Sequence, residues 1–451
     1  MPTNFNHNRL LFVNGRVVNQ GRIFEADIYV KDGRIDAVGS DLSSKPADVT
    51  INAAGCHIFP GMIDDQVHFR EPGLTRKGDI LSESLAAAAG GITSFMEMPN
   101  TMPATTTLAL LEEKYQRAKA TSAINYAFYL GGANDNIEEI KRLDPKRACG
   151  VKVFMGASTG NMLVDDPVVL EQIFAHAPTL VATHCEDTPT IEANAQQLKE
   201  KYGTAIPVTE HPHIRSTEAC FKSTELAIAL ARRHGTRLHV LHLSTADELV
   251  LFAKGDLTSK HITAECCVHH LHFCDEDYLT LGSRIKCNPA IKTAQDRRAL
   301  ITAVVENRID VIATDHAPHL LAEKNGADYF TVPAGLPLVQ YALPSLLEHY
   351  HQGIFTLPLI VEKCAHAPAR LFDIKERGFI REGYWADLVI LRLNAPHKAS
   401  DDAVVSKCGW TPFNGHTFQS KVVTTIVSGK PAFHQGELNP DVRGMRVAFE
   451  R

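Results

Sequence analysis

The stretch Asp64-Asp65-Gln66-Val67-His68-Phe69-Arg70-Glu71-Pro72-Gly73 brings carboxylate, amide, imidazole and guanidinium groups together directly after the apolar run Ile58-Phe59-Pro60-Gly61-Met62-Ile63. If that run is a β-strand, alternate residues share a face. Asp64, Gln66 and His68 then converge at its end, and Arg70 follows as the strand turns into a loop. Taken alone, this is also what a polar strand end with a histidine in a turn looks like. A second unusual residue is Lys152, in Gly150-Val151-Lys152-Val153-Phe154-Met155. A charged amine is costly to bury in so apolar a strand. A buried ion pair, for example with Asp315, is one explanation. The other is chemical. Burial and nearby metal charge lower the amine pKa, the free amine adds carbon dioxide, and the resulting carbamate is an anion able to bridge two metals.

These residues need elements to position them. Residues 8 to 56 read as short strands separated by Gly15, Gly21 and Gly33. From Ile58 onward strands alternate with helices. The strand candidates are Ile58 to Asp64, Ile92 to Met98, Asn125 to Gly131, Gly150 to Met155, Thr179 to His184, Arg237 to His242, His261 to Val268 and Asp310 to Thr314. Between them lie helical patterns such as Leu81 to Ala89, Leu108 to Ala120, Glu218 to His234 and Ala294 to Asn307. Alternation of this kind argues for a parallel sheet, and eight strands fit a closed barrel. The expected fold is therefore α/β, a (β/α)8 TIM barrel over residues 58–372, with a small β-sandwich domain built from both termini, residues 1–57 plus 373–451.

Active sites of such barrels sit at the C-terminal strand ends. Taken in order, those ends and the loops after them present Gln66 and His68, Asn100, Lys152, His184, His242, Asn288, and Asp315 with His319. His68, His184 and His242 with an aspartate and a lysine on one rim are hard to explain as packing. Imidazole and carboxylate are common ligands of first-row metals, so zinc leads, with manganese and cobalt as alternatives.

The composition fits a small-molecule enzyme. With 451 residues the chain can bury one very large core or two domains. The net charge of -6 provides no basic field for nucleic acid. The segment Met1 to His7 lacks a signal-peptide core, and no apolar run is long enough to span a bilayer, so a cytoplasmic location without membrane partners is expected. The ten cysteines form no Cys-x-x-Cys pair and read as reduced core residues.

Taken together, Pro60-Gly61-Met62-Ile63-Asp64, Arg70-Glu71-Pro72-Gly73, Met98-Pro99-Asn100-Thr101, Lys152-Val153-Phe154, Val240-Leu241-His242 and Ala313-Thr314-Asp315-His316-Ala317-Pro318-His319 resemble the dihydroorotases of the amidohydrolase superfamily, the type related to hydantoinases and allantoinases. Pro368-Ala369-Arg370-Leu371-Phe372 and Ala386-Asp387-Leu388-Val389-Ile390 extend the resemblance to nearly the whole chain. It implies reversible hydrolysis of the cyclic amide of dihydroorotate to N-carbamoyl-aspartate, a step of pyrimidine synthesis. The implied metal ligands are His68, carboxylated Lys152, His184, His242 and Asp315. Asp315 would serve as general base and then general acid. Arg70, Asn100 and His319 would hold the substrate carboxylate, and Asn288 would hydrogen-bond the ring. His269, His270 and His272 are expected to be structural. The resemblance also allows a homodimer.

One departure stands out. The family pattern has His-x-His at the first strand end, where this chain has Gln66-Val67-His68. A neutral amide is a poor zinc ligand. The metal held by Lys152, His184 and His242 should therefore be tight, and the one beside His68 and Asp315 weak. The departure also admits a catalytically silent scaffold subunit as a rival reading. A hydantoinase or allantoinase is the rival among enzymes. Those substrates lack the ring carboxylate, which makes Arg70 the discriminating residue.

Overall fold

The computed structural model describes residues 8–156, 160–326 and 328–451; Met1 to His7, discussed above, lie outside them. Nine short parallel stretches, two of them the halves of one interrupted strand, form the centre. Met62–Val67, Ile92–Glu97 and Asn125–Phe128 pair in that order. Leu130–Gly131 then pairs with Val151–Phe154, followed by Val181–His184, Leu238–Val240, Ile262–Cys267 and Val311–Ala313, each parallel to the one before. The run expected over Asn125 to Gly131 is thus interrupted at Tyr129. A parallel bridge between Val67 and His316, with the His68 amide donating to the His316 carbonyl at 2.7 Å, links the end of the first strand to the segment after the last. Nearly every residue of these strands is buried, polar ones such as Asp64, Ser94, Lys152 and Glu265 included, so they do not alternate a buried with an exposed face.

Helices fill the connections, and their starts are set by side chains that cap free backbone amides. Asp79 caps Ile80–Ala89, Thr107 caps Leu108–Thr121, and Ser216 caps Thr217–His234. Thr293 and Asp296 close a reciprocal capping box at the start of Ala294–Val305. The Thr217–His234 helix stops at Gly235, whose φ of 69° is left-handed.

Strands from both ends of the chain share one nine-stranded sheet. In it Arg9–Asn19 runs parallel to His57–Pro60, which in turn pairs antiparallel with Leu388–Arg392. The expected single strand from Ile58 to Asp64 is therefore two. Ile58, Phe59 and Pro60 belong to the terminal sheet, and the central strands begin at Met62. Gly61 marks the change: a Cβ there would lie 2.1 Å from Thr93 Oγ1, so only glycine fits where the two layers meet. Among the described residues no helix is long and apolar enough to cross a membrane.

Candidate active site

The C-terminal ends of the central strands enclose a cavity of about 220 Å³ lined by Gln66, His68, Arg70, Asn100, His184, His242, Asn288, Asp315 and His319. Of the residues expected at the site, only Lys152 is outside the lining, two residues before Phe154, which lines the cavity from the end of the same strand. A larger hollow of about 470 Å³ beside Asp256, Asp310 and Arg370 lies at the opposite strand ends and contains none of these groups.

On the first strand, side-chain alternation works as expected. Asp64 accepts from the Thr314 amide at 3.1 Å and from its hydroxyl at 2.6 Å, tying the first strand to the last. Burial raises its pKa to about 7. Gln66 Nε2 donates to Asp315 Oδ1 at 3.1 Å, and His68 Nε2 lies 3.0 Å from the same oxygen. His68 Nδ1 faces Asn100 Oδ1 at 2.7 Å.

The next residue outward on this face is Arg70, whose Nε donates to the Pro318 carbonyl at 3.0 Å. Its Nη2 lies 3.1 Å from His319 Nε2, and Lys77 Nζ lies 2.9 Å from the other ring nitrogen. Burial, followed by the charges of Arg70, Lys77 and Lys324, pushes the His319 pKa far down and keeps the ring neutral. A neutral imidazole has one acceptor nitrogen. Lys77 also pairs with Glu323 Oε2 at 3.4 Å and lies outside the cavity lining, whereas Arg70 lines the cavity and makes its side-chain hydrogen bonds through Nε and Nη2 alone, so its Nη1 is free among the described residues. Opposite, Asn288 Oδ1 is buried with no hydrogen-bond partner among the described residues.

His184 and His242 end their strands with His184 Nδ1 and His242 Nε2 2.9 Å apart. His184 Nε2 lies 2.7 Å from Glu186 Oε2. Burial works to raise the Glu186 pKa, but Arg215 and His184 hold it at about 2. The carboxylate therefore keeps the His184 proton on Nε2 and leaves Nδ1 as a lone-pair donor turned toward His242. Lys152 Nζ is fully buried, 4.5 Å from the Phe154 ring centre, with no hydrogen-bond partner among the described residues. Burial lowers its pKa to about 7. Burial chiefly, and the Lys152 charge to a lesser degree, depresses both His184 and His242, and Asp315 favours the charged amine, so the amine is within electrostatic reach of both halves of the site.

Three site residues hold left-handed backbone: Arg70 at φ 70°, His242 at 42° and Asp315 at 50°. Such conformations are unfavourable for side chains of this kind and cluster where geometry serves function. The donor set also suits a divalent cation. It combines an orphaned amine able to become a carbamate, two imidazole nitrogens facing each other, and a carboxylate beside a third imidazole.

Sequence reasoning missed several contributors. Glu186 follows His184 by two residues, and this His-x-Glu spacing at a strand end was its available signal. Lys77 lies in a loop and gave none. Gly335 also lines the cavity, and a Cβ there would strike the Ala317 carbonyl at 2.5 Å.

A family model described as the amidohydrolase family matches residues 57–432. The chain belongs to the amidohydrolase family. Within that family it is 33% identical over 417 residues to a dihydroorotase from Halobacterium salinarum, covering 92% of this chain and 94% of the relative. It is 31% identical over 433 residues to an allantoinase from Solibacter usitatus, covering 94% and 93%. Among solved structures, the L-hydantoinase (dihydropyrimidinase) from Arthrobacter aurescens superimposes with a TM-score of 0.93 at 29% identity, covering 97% of this chain and 99% of that one. Amidohydrolases with three different names thus resemble this chain to nearly the same degree, and the choice among substrates rests on the cavity.

Proposed function

We propose that this amidohydrolase is a dihydroorotase, which opens the ring of dihydroorotate to N-carbamoyl-aspartate and closes it again. The observation that carries this reading is the Arg70 guanidinium in the wall of the cavity. Arg70 lines the cavity with its Nη1 free, as recognition of a ring carboxylate requires, while Lys77 behind His319 is paired with Glu323. A neutral cyclic ureide would leave that guanidinium unpaired, a large penalty for a buried polar site. The small cavity suits a single six-membered ring.

In this reading the eight strands close into one barrel, and the terminal sheet forms a separate small domain. The residues that would hold zinc are His68, Lys152 as its carbamate, His184, His242 and Asp315. Zinc held there supplies Lewis-acid activation of water and of the ring carbonyl. Asp315 takes a proton from the attacking water as the new C–O bond forms. It returns that proton to the ring nitrogen as the C–N bond breaks, so general base and general acid are one carboxylate. His68 and Gln66 fix the oxygen of Asp315 that is not free for this work. Arg70, Asn100 and His319 hold the substrate carboxylate, and the unpartnered Asn288 Oδ1 accepts from a ring N–H.

The test is turnover. Purified protein supplied with zinc and bicarbonate should interconvert dihydroorotate and N-carbamoyl-aspartate and lose that activity on chelation. Efficient hydrolysis of hydantoin or allantoin with none of dihydroorotate would assign the chain to the other amidohydrolases, and inactivity toward all three would favour the scaffold reading.

A further inference from the structure

A second group of potential ligands lies beside this cavity and takes no part in the proposed reaction. We propose that Cys267, His269 and His270 form a binding site for a thiophilic divalent cation of the zinc type. Cys267 is the last residue of its strand, and the helical turn Val268–His272 brings the two imidazoles back over it. The sulfur and one nitrogen from each ring all lie within 4.8 Å of one another, and all three residues are buried. Tetrahedral zinc, with bonds of about 2.3 Å to sulfur and about 2.0 Å to nitrogen, places its ligand atoms about 3.5 Å apart. The 4.8 Å limit exceeds this by about an ångström, so any closure required is within reach of small side-chain rotations.

The tautomers favour a cation over simple packing. His270 Nε2 lies 3.1 Å from the Pro289 carbonyl, which can only accept, so the proton is on Nε2. Nδ1 is left with a lone pair and no partner among the described residues. A backbone carbonyl holding the far nitrogen is the usual way a ligating histidine is oriented. His269 is 1% exposed, and neither ring nitrogen makes a well-formed hydrogen bond, although the Thr314 backbone lies near the ring. The Cys267 thiol lies 3.3 Å from Glu265 Oε1, which also accepts from the His242 amide. Gln66 bridges the two centres: its Nε2 donates to Asp315, and its Oε1 faces the Cys267 sulfur at 3.8 Å.

A neighbouring cluster shows the contrast. Asp65, His239 and Glu265 are equally close together. There, however, His239 Nε2 meets Asp65 at 3.2 Å and Nδ1 meets Thr263 at 2.8 Å, leaving no ring nitrogen for a metal.

The inference is independent of the substrate assignment. Metal-free full-length protein, reloaded with cobalt(II) alone, is followed by near-ultraviolet absorption and equilibrium dialysis. Wild type should show a thiolate-to-cobalt charge-transfer band and bind about one more cobalt per chain than Cys267→Ser. His269→Gln should likewise lose the band, and Lys152→Ala should keep it. A wild type without the band at saturating cobalt overturns the proposal, as does a Cys267→Ser protein with unchanged spectrum and stoichiometry. Failure of the dihydroorotase reading would appear separately, as absent turnover with the band still present.

Discussion

Lys152 makes no ion pair with Asp315: the Asp315 Oδ1 atom is approached by Gln66 and His68, and Lys152 Nζ has no hydrogen-bond partner among the described residues. Of the two explanations for a lysine in this strand, the structural one therefore lacks its contact. Breaking or omitting the partner of a buried charge is among the costliest arrangements in a protein interior. The amine is relieved either by staying neutral or by becoming a carbamate whose charge a metal neutralises.

Lys152→Ala should accordingly lose metal and activity together. Acetate or propionate, which can enter the vacated space with a carboxylate, should restore part of both. Metal content by elemental analysis, measured beside turnover, checks this. A fully metallated, active Lys152→Ala protein would falsify the carbamate assignment.

Gln66 should make the two metal positions unequal. Dialysed wild type is expected to hold about one metal per chain at the His184–His242 position, with another recovered beside His68 and Asp315 only in excess zinc. Gln66→His, which provides an imidazole in place of the amide, should retain the metal beside His68 under the same dialysis. Counting metal in Cys267→Ser alongside removes any contribution from the cysteine cluster.

The buried Asp65–His239–Glu265 group should impose a pH dependence on stability. Burial opposes the charged His239, but the hydrogen bond to Asp65 and the Glu265 carboxylate 3.8 Å away raise its pKa to about 9. Burial and Asp65 raise that of Glu265. Both groups bind protons more tightly folded than unfolded, so both effects have the same sign. For His239 the stabilisation is complete below its unfolded value near 6.5 and is lost as pH rises through about 9, amounting to on the order of 3 kcal/mol. Urea unfolding midpoints should fall across that window in wild type, and much less in His239→Gln.

The strand ends were legible because fully buried parallel strands leave long apolar runs, and the polar residues that terminate them stand out. Gln66, His68, His184, His242 and Asp315 were visible this way, and Lys152 as a charge inside an apolar strand. The break at Gly61 was hidden, since Ile58 to Ile63 is uniformly apolar and only the approach of Thr93 divides it between two sheets. Lys77 and Arg215 were not legible because their partners, His319 and Glu186, are remote in sequence and meet them only through the folded chain. His269 and His270 were read as structural from residue type alone, and their unpaired nitrogens appear only once the turn after Cys267 is in place.

The most direct test of the account compares kcat/KM for dihydroorotate and for hydantoin in wild type and in Arg70→Ala. Loss of a charged hydrogen bond to the substrate carboxylate costs roughly 1.5 to 3 kcal/mol. Wild type should prefer dihydroorotate, and Arg70→Ala should lower its kcat/KM by one to two orders of magnitude, with hydantoin turnover little changed. Equal losses on both substrates, or a wild type that prefers hydantoin, would contradict the assignment.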